Sequence, residues 1–297
     1  MGAFSKIKIA ASDPVFAGYA ALSRLHPSGA LIGYRARAAQ AGLDRLYLVL
    51  SFDCDTPEDI QIAWGVHEKL LGLGICASYA VPGALLIEGA DVYRRIAATG
   101  AEFLNHGGRS HTYFDTQRGE YRSNFFYDQQ PRDVLKRDIE EGDRIVTEVI
   151  GKKPFGYRTP HFGTFQRPDQ LLFLHKVLRD LHYTYSTSTT PFAGLRYGPA
   201  FTRFGLMEFP VSGQGSNPLS ILDSWGCFRA PDRTLAAEDY KREALGMARH
   251  LASGPGILNF YADPCHVADQ PIFFETVAEL TTMSKPVAYR DLMELVS

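Results

Sequence analysis

Apolar positions follow two rhythms along this chain. Short continuous apolar runs bounded by Gly, Pro and polar residues predict buried strands. They fall at Leu46–Leu50, Cys76–Val81, Phe103-Leu104, the 155–157 segment ahead of Arg158, Tyr183–Ser186, Met207–Val211, and the run from Gly256 to Asp263. Between them, apolar residues recur at helical spacing. Ile60, Ala63, Trp64, His67, Leu70 and Leu71 mark a helix over Glu58–Leu73. Leu135, Ile139, Gly142, Val146 and Val149 mark another, opened by Pro131 and stopped by Gly151 and Pro154. Further helices are predicted over Asp91–Ala98, Pro168–Leu181, Ala237–Leu251 and Phe273–Thr282, with a terminal one after Tyr289. Residues 112–130 read as an irregular aromatic loop, and 190–235 as Gly- and Pro-rich with one strand. Strands alternating with helices argue for an α/β fold with parallel strands closed, or nearly closed, into a barrel. Residues 1–45 precede the first core strand and predict an N-terminal extension of one or two short helices in Ala20–Ala41, broken at Pro27-Ser28-Gly29; residues 46–297 form the barrel domain.

The strands end in chemistry. Asp53 and Asp55 stand two apart just past the first strand. Two acids delivered by a buried strand are costly unless something pairs with their charge. The spacing suggests divided labour, one carboxylate on a metal and the other free to take a proton, although solvated acids at a strand end also fit it. His106 and His111 follow the Phe103-Leu104 run, and two imidazoles with one carboxylate make a common catalytic zinc set that leaves a position for water. A third cluster, Arg158-Thr159-Pro160-His161-Phe162-Gly163, again sets a charged residue past a strand. Cys54 reads as a packed small residue and His67 as a core histidine on an apolar helix face.

Taken together, these three clusters resemble the polysaccharide deacetylases of the NodB homology domain family (carbohydrate esterase family four). That family carries a paired-Asp motif, a His-Ser/Thr-x-x-His motif and an Arg-x-Pro motif in this order. Here they stand as Phe52-Asp53-Cys54-Asp55, Asn105-His106 through Ser110-His111, and Arg158-Thr159-Pro160. The single residue between the acids, with Tyr183 through Pro191, looks most like the branch containing peptidoglycan-deacetylase-like proteins and metal-free allantoinase-like relatives. The resemblance implies an irregular (β/α)7 barrel and a polysaccharide deacetylase-like catalytic domain over 46–297. It also implies Asp53 as general base, Asp55, His106 and His111 as ligands of a divalent metal such as zinc, Arg158 against Asp53, and the backbone N–H of His161 at the oxyanion.

The departures from the pattern are as informative. The two histidines are five apart rather than four; on a helix that step would turn them away from one ion, and Gly107-Gly108 offers the conformational freedom to absorb the extra residue. The family's Asp-and-Trp motif has no match around Ser186–Thr189. At the late strand, Asp263 stands where the family places its acid histidine. The general acid is therefore open among Asp263, His266 and His161.

Composition narrows the setting. Net charge is −2, with no block of like charge to suggest nucleic acid. The four cysteines, Cys54, Cys76, Cys227 and Cys265, form no Cys-x-x-Cys pair, consistent with a reducing compartment. The N-terminus lacks the apolar core of a secretion signal, and no apolar run reaches a membrane-spanning length. These features point to the cytoplasm and to an amino sugar, sugar conjugate or small amide as substrate. Tyr113, Phe114, Tyr121, Phe125, Phe126 and Tyr127 suit either a wall of a substrate groove or a subunit interface of a homo-oligomer. Three readings follow: a metal-dependent hydrolase removing an acetyl or formyl group from an amino sugar, a metal-free allantoinase-like amidohydrolase, or a catalytically silent sugar-binding protein.

Overall fold

The computed structural model describes residues 13–230 and 235–296. Its strands are β1 (Leu46–Asp53), β2 (Ser78–Val81), β3 (Glu102–Asn105), β4 (Thr112–Asp115), β5 (Glu120–Ser123), β6 (Gly156–Tyr157), β7 (Tyr185–Ser186), β8 (Phe201–Arg203), β9 (Leu206–Glu208), β10 (Gly256–Ala262) and β11 (Lys285–Pro286). The main sheet runs β10-β1-β2-β3-β6-β7-β9-β8, and β11 pairs with β1. All pairings in it are parallel except β8 with β9. Seven parallel strands thus form the curled arc from β10 to β9, in keeping with the irregular barrel expected from the sequence.

Every position of β1 is buried, because helices cover one face of the sheet and the barrel interior fills the other. The helices fall close to their predicted places. Pro57–Gly72 starts at a box in which the Thr56 N–H and hydroxyl both donate to Asp59 Oδ2 at 2.9 Å. Arg132–Ile150 ends at Gly151 with φ 76°, the left-handed cap that glycine favours. Ala237–Leu251 and Pro271–Met283 pack on each other behind β10 and β1.

Between β9 and β10 no strand ladder forms. Asn259 spans the gap instead. Its Nδ2 donates to the carbonyls of Phe209 and Pro210, each at 3.0 Å, and its Oδ1 accepts from the Tyr289 hydroxyl at 2.5 Å. The Ser212 N–H donates to the Asn259 carbonyl at 2.8 Å and the Asn259 N–H to the Ser212 hydroxyl at 2.9 Å, completing the seam.

Several sequence expectations are corrected. Among its described residues the extension holds three helices, Pro14–Leu25, Pro27–Ala30 and Ile32–Gln40: Pro27 occupies a first-turn position, where its fixed φ starts a helix rather than breaking one. The Tyr34 hydroxyl ties the extension to β10 through the Ile257 carbonyl at 2.7 Å. Residues 112–130 are not irregular throughout, since β4 and β5 pair as an antiparallel hairpin. The 190–235 segment contains a helix at Pro191–Tyr197, the edge strand β8 and a π-helical turn at Trp225–Arg229, besides the expected strand. Helices at Gly83–Glu88 and Pro264–Val267 carried no signal at their length. No helix among the described residues is long and apolar enough to cross a membrane.

Asn259→Ala is expected to lower stability by about 2–4 kcal/mol, because it strands buried carbonyls and the Tyr289 hydroxyl together. Urea unfolding should show a lower midpoint at an unchanged slope.

Candidate functional site

Three strand ends converge at the C-terminal rim of the barrel. β1 delivers Asp53 and leads into Asp55, β3 leads into His106, and β6 leads into Arg158. The stretch from His106 to His111 is extended and looped rather than helical, so the geometric objection to a five-residue step does not arise. Gly107 adopts φ 83°, and a Cβ there would sit 2.5 Å from Asp138 Oδ2. The turn is held by Asn105, whose Oδ1 accepts from the Gly107 N–H at 2.9 Å, and by Asp138, whose Oδ1 accepts from the Arg109 N–H at 3.0 Å.

Asp55, His106 and His111 bring one ligand atom each to within 4.8 Å of one another. His106 Nε2 lies 3.4 Å, and His111 Nδ1 3.7 Å, from Asp55 Oδ1. In a tetrahedral zinc site with bonds of about 2.0–2.1 Å, ligand atoms stand about 3.3 Å apart, so the spacing fits. The hydrogen-bond pattern fits as well. His106 Nδ1 donates to the Arg158 carbonyl at 2.8 Å, and His111 Nε2 donates to the His106 carbonyl at 3.2 Å. Carbonyls only accept, so these bonds fix the tautomers and turn the bare nitrogens toward Asp55. Asp55 Oδ1, His106 Nε2 and His111 Nδ1 are all buried without a hydrogen-bond partner.

A proton does not resolve the cluster. Burial works against a charged His106, but the Asp55 carboxylate 3.4 Å away and the Asp53 charge raise its pKa overall. Burial takes His111 down to about 3, so it carries no second proton near neutrality. The two imidazoles thus move in opposite directions although both face Asp55, and the site keeps more acceptors than donors. Burial alone would raise Asp55, yet the two imidazoles beside it leave it lowered. One cation at this point would satisfy all three atoms.

Beside the trio, Arg158 is fully buried. Its Nη1 donates to Asp53 Oδ1 at 2.6 Å, and its Nη2 donates to the Ser51 and Tyr289 hydroxyls, each at 2.8 Å. Ser51, Tyr289 and Thr187, which lies 3.5 Å from Nη2, were not among the sequence candidates. Ser51 was detectable, standing two positions before Asp53 on the same strand face; Tyr289 was not, since it reaches the site from the C-terminal helix.

The remaining candidates line the same rim. The His161 ring packs edge-on against His111 with centroids 5.4 Å apart, and its Nε2 donates to the Asn124 carbonyl at 2.8 Å. Its φ of 56° is uncommon for a residue other than glycine. Asp263 Oδ2 lies 3.4 Å from His266 Nδ1, and Ser224 Oγ lies 3.0 Å from that nitrogen. Burial lowers the His266 pKa to about 4. The hairpin stands on the ligands: the Thr112 hydroxyl donates to the Asp55 carbonyl at 2.5 Å, and the Asn124 N–H donates to the His111 carbonyl at 2.8 Å. Tyr113 and Phe114 are exposed on it. Cys54 and Cys265 are buried outside the ligand trio, with Cys54 in the apolar core. His67 is a satisfied core histidine between the Tyr79 and Thr99 hydroxyls, at 2.9 and 2.8 Å.

This architecture has counterparts among solved structures. It is similar to a protein assigned as a polysaccharide deacetylase from Mycobacterium smegmatis, with TM-score 0.62 and 18% identity over 85% of this chain and 90% of that one. The chain has the polysaccharide deacetylase fold. The Bc1960 peptidoglycan N-acetylglucosamine deacetylase shares this fold, with TM-score 0.53 and 16% identity over 84% of this chain and 88% of that one. So does the PuuE allantoinase, with TM-score 0.58 and 11% identity over 85% and 90%. No family model matches the chain, and neither does any curated protein. Within the polysaccharide deacetylase fold, the trio and the Asp53–Arg158 pair occupy the rim where parallel-barrel enzymes do their chemistry.

Calorimetric titration with zinc should give one site per chain, lost in Asp55→Ala and in His111→Ala. Because His106 holds its proton above its ordinary pKa, affinity should fall as pH drops through that value, by about tenfold per unit for one displaced proton.

Proposed function

We propose that this protein is a metal-dependent hydrolase of carbon–nitrogen amide bonds, removing an acetyl or formyl group from an amino sugar or sugar conjugate. The observation that carries the reading is the set of three buried, partnerless acceptors on Asp55, His106 and His111, directly beside a carboxylate held by a buried arginine. The fold shared with a peptidoglycan deacetylase supports the same chemistry.

Asp55, His106 and His111 would hold the cation. When bound, a divalent ion of the zinc type supplies Lewis acidity to the amide carbonyl and acidity to water. The chain's own residues do the rest. Asp53 acts as general base, taking a proton from the attacking water, and Arg158 fixes its orientation through one short bond. The Arg158 carbonyl holds His106 in the coordinating tautomer. The backbone N–H of His161, from which no described residue accepts, is the donor assigned to the developing oxyanion. Aromatic faces near the rim suit the apolar faces of a sugar ring: Phe126 lies on His161 with centroids 4.6 Å apart, and Phe162 on Tyr261 with centroids 4.7 Å apart. The four unpaired cysteines favour a reducing, cytoplasmic setting.

A metal-free mechanism would leave the three acceptors without a counterpart, which is why the allantoinase-like reading ranks second. Release of acetate and formate from N-acylated amino sugars tests the proposal. Asp53→Asn is expected to lower kcat by about 10²–10⁴-fold while zinc binding persists. A protein that binds zinc stoichiometrically and turns over none of these substrates would favour the silent sugar-binding alternative instead.

A further inference from the structure

Asp53 and Asp263 are neighbours by strand register. β1 and β10 run parallel with Phe52 opposite Ala262, on backbones about 4.8 Å apart, so Asp53 and Asp263 follow next on neighbouring strands. They share the inward face. Ser51, two before Asp53, accepts from Arg158. Tyr261, two before Asp263, has its ring 5.7 Å from the Arg158 guanidinium carbon. Arg158 does not treat the two acids alike. It donates to Asp53 at 2.6 Å, whereas no arginine or lysine among the described residues pairs with Asp263.

We propose that Asp263, carrying a proton, is the general acid that protonates the departing amine, so that two adjacent carboxylates divide the base and acid roles. The inference rests on the amide-hydrolase reading. Its geometry is specific to Asp263 among the three candidates. The Ser224 hydroxyl accepts from the Asp263 N–H at 3.1 Å and sits 3.0 Å from His266 Nδ1, fixing the imidazole against the acid side chain. His266 is buried under Trp225 and stays uncharged near neutrality, which makes it a positioning residue. The Nε2 proton of His161 is committed to the Asn124 carbonyl. The Asp263 side chain keeps 20% exposure. The electrostatics agree: burial first, then the charges of Asp59, Asp55, Asp53 and Asp223, push Asp263 well above the ordinary carboxylate range. Of the cations nearby, Arg158 is paired with Asp53, and the charge of Arg229 lowers the neighbouring His266.

The proton balance closes within the pair. Water adds its oxygen to the carbonyl carbon and gives a proton to Asp53. The carbon–nitrogen bond breaks with its electron pair going to nitrogen, which takes the proton from Asp263. The products are a carboxylic acid and an amine. Asp53 is left protonated and Asp263 ionised, and one proton passing between the neighbours restores the starting state.

A leaving-group comparison tests this directly. An N-acetylated amine needs a proton on its leaving nitrogen, whereas 4-nitrophenyl acetate expels a stable phenolate without one. Asp263→Asn should lower kcat/KM on the amide by about 10²–10⁴-fold and leave the aryl ester within about threefold, which also shows that the variant is folded. Asp53→Asn should depress both substrates. Equal loss on both substrates in Asp263→Asn, or no loss on either, overturns the assignment. Infrared difference spectroscopy gives a readout independent of turnover. The wild type at neutral pH should show a protonated-carboxyl carbonyl band that Asp263→Asn removes; absence of that band from the wild type overturns the proposal even if the enzyme is active. If the band is present and neither substrate is cleaved, the hydrolase reading fails, and the acid role fails with it.

Discussion

Arg158 binds the site together from two directions at once. Its guanidinium, with no solvent exposure, reaches Asp53, Ser51 and Tyr289, while its backbone carbonyl takes the Nδ1 proton of His106. A buried guanidinium is expensive unless its donors meet acceptors and its charge meets a carboxylate. Asp53 supplies that carboxylate to Nη1 and the Ser51 and Tyr289 hydroxyls accept from Nη2, while the buried Nε has no partner among the described residues. In the proposed mechanism the same residue therefore sets the position of the base and the tautomer of a ligand, which couples the two halves of the chemistry in one backbone placement at the end of β6.

The rest of the rim follows from that placement. Parallel strands bring Asp53, His106 and Arg158 to one edge from positions more than fifty residues apart, and irregular backbone does the local aiming. The Gly107 turn lets His111 fold back so that its ring lies edge-on to His106, with centroids 4.8 Å apart. The β4–β5 hairpin is anchored on the Asp55 and His111 backbones, so a segment with exposed aromatics is tied to the ligands themselves. At the seam, Asn259 closes the barrel with a side chain in place of a ladder and links through Tyr289 back to Arg158.

Much of this was legible in the sequence because it lies on long periodic segments. The helix over Ala237–Leu251 has its predicted bounds, and the apolar run of β1 marks the longest fully buried strand. The acid pair, the histidines and the arginine all stand directly past apolar runs, a local signal that survives without any knowledge of the fold. What failed was local structure set by tertiary contact. The hairpin at 112–123 lacks alternating polarity because it stands off the core. The short helices at Gly83–Glu88 and Pro264–Val267 are too brief to show a period. The network around Arg158 draws on Ser51, Thr187, Asn259 and Tyr289, side chains that also serve as ordinary core or capping residues, and only their convergence gives them a role. The closeness of Asp53 to Asp263 is likewise a matter of strand register, which a single sequence does not display.

The central claim is that Asp55, His106 and His111 aim three bare acceptors at one point in order to hold a cation. Anomalous diffraction at the zinc absorption edge, from crystals of the full chain grown with zinc, tests it most directly. The expected result is a single strong peak bounded by Asp55 Oδ1, His106 Nε2 and His111 Nδ1. A map in which zinc sits elsewhere, or in which these three atoms surround no peak, would contradict the account.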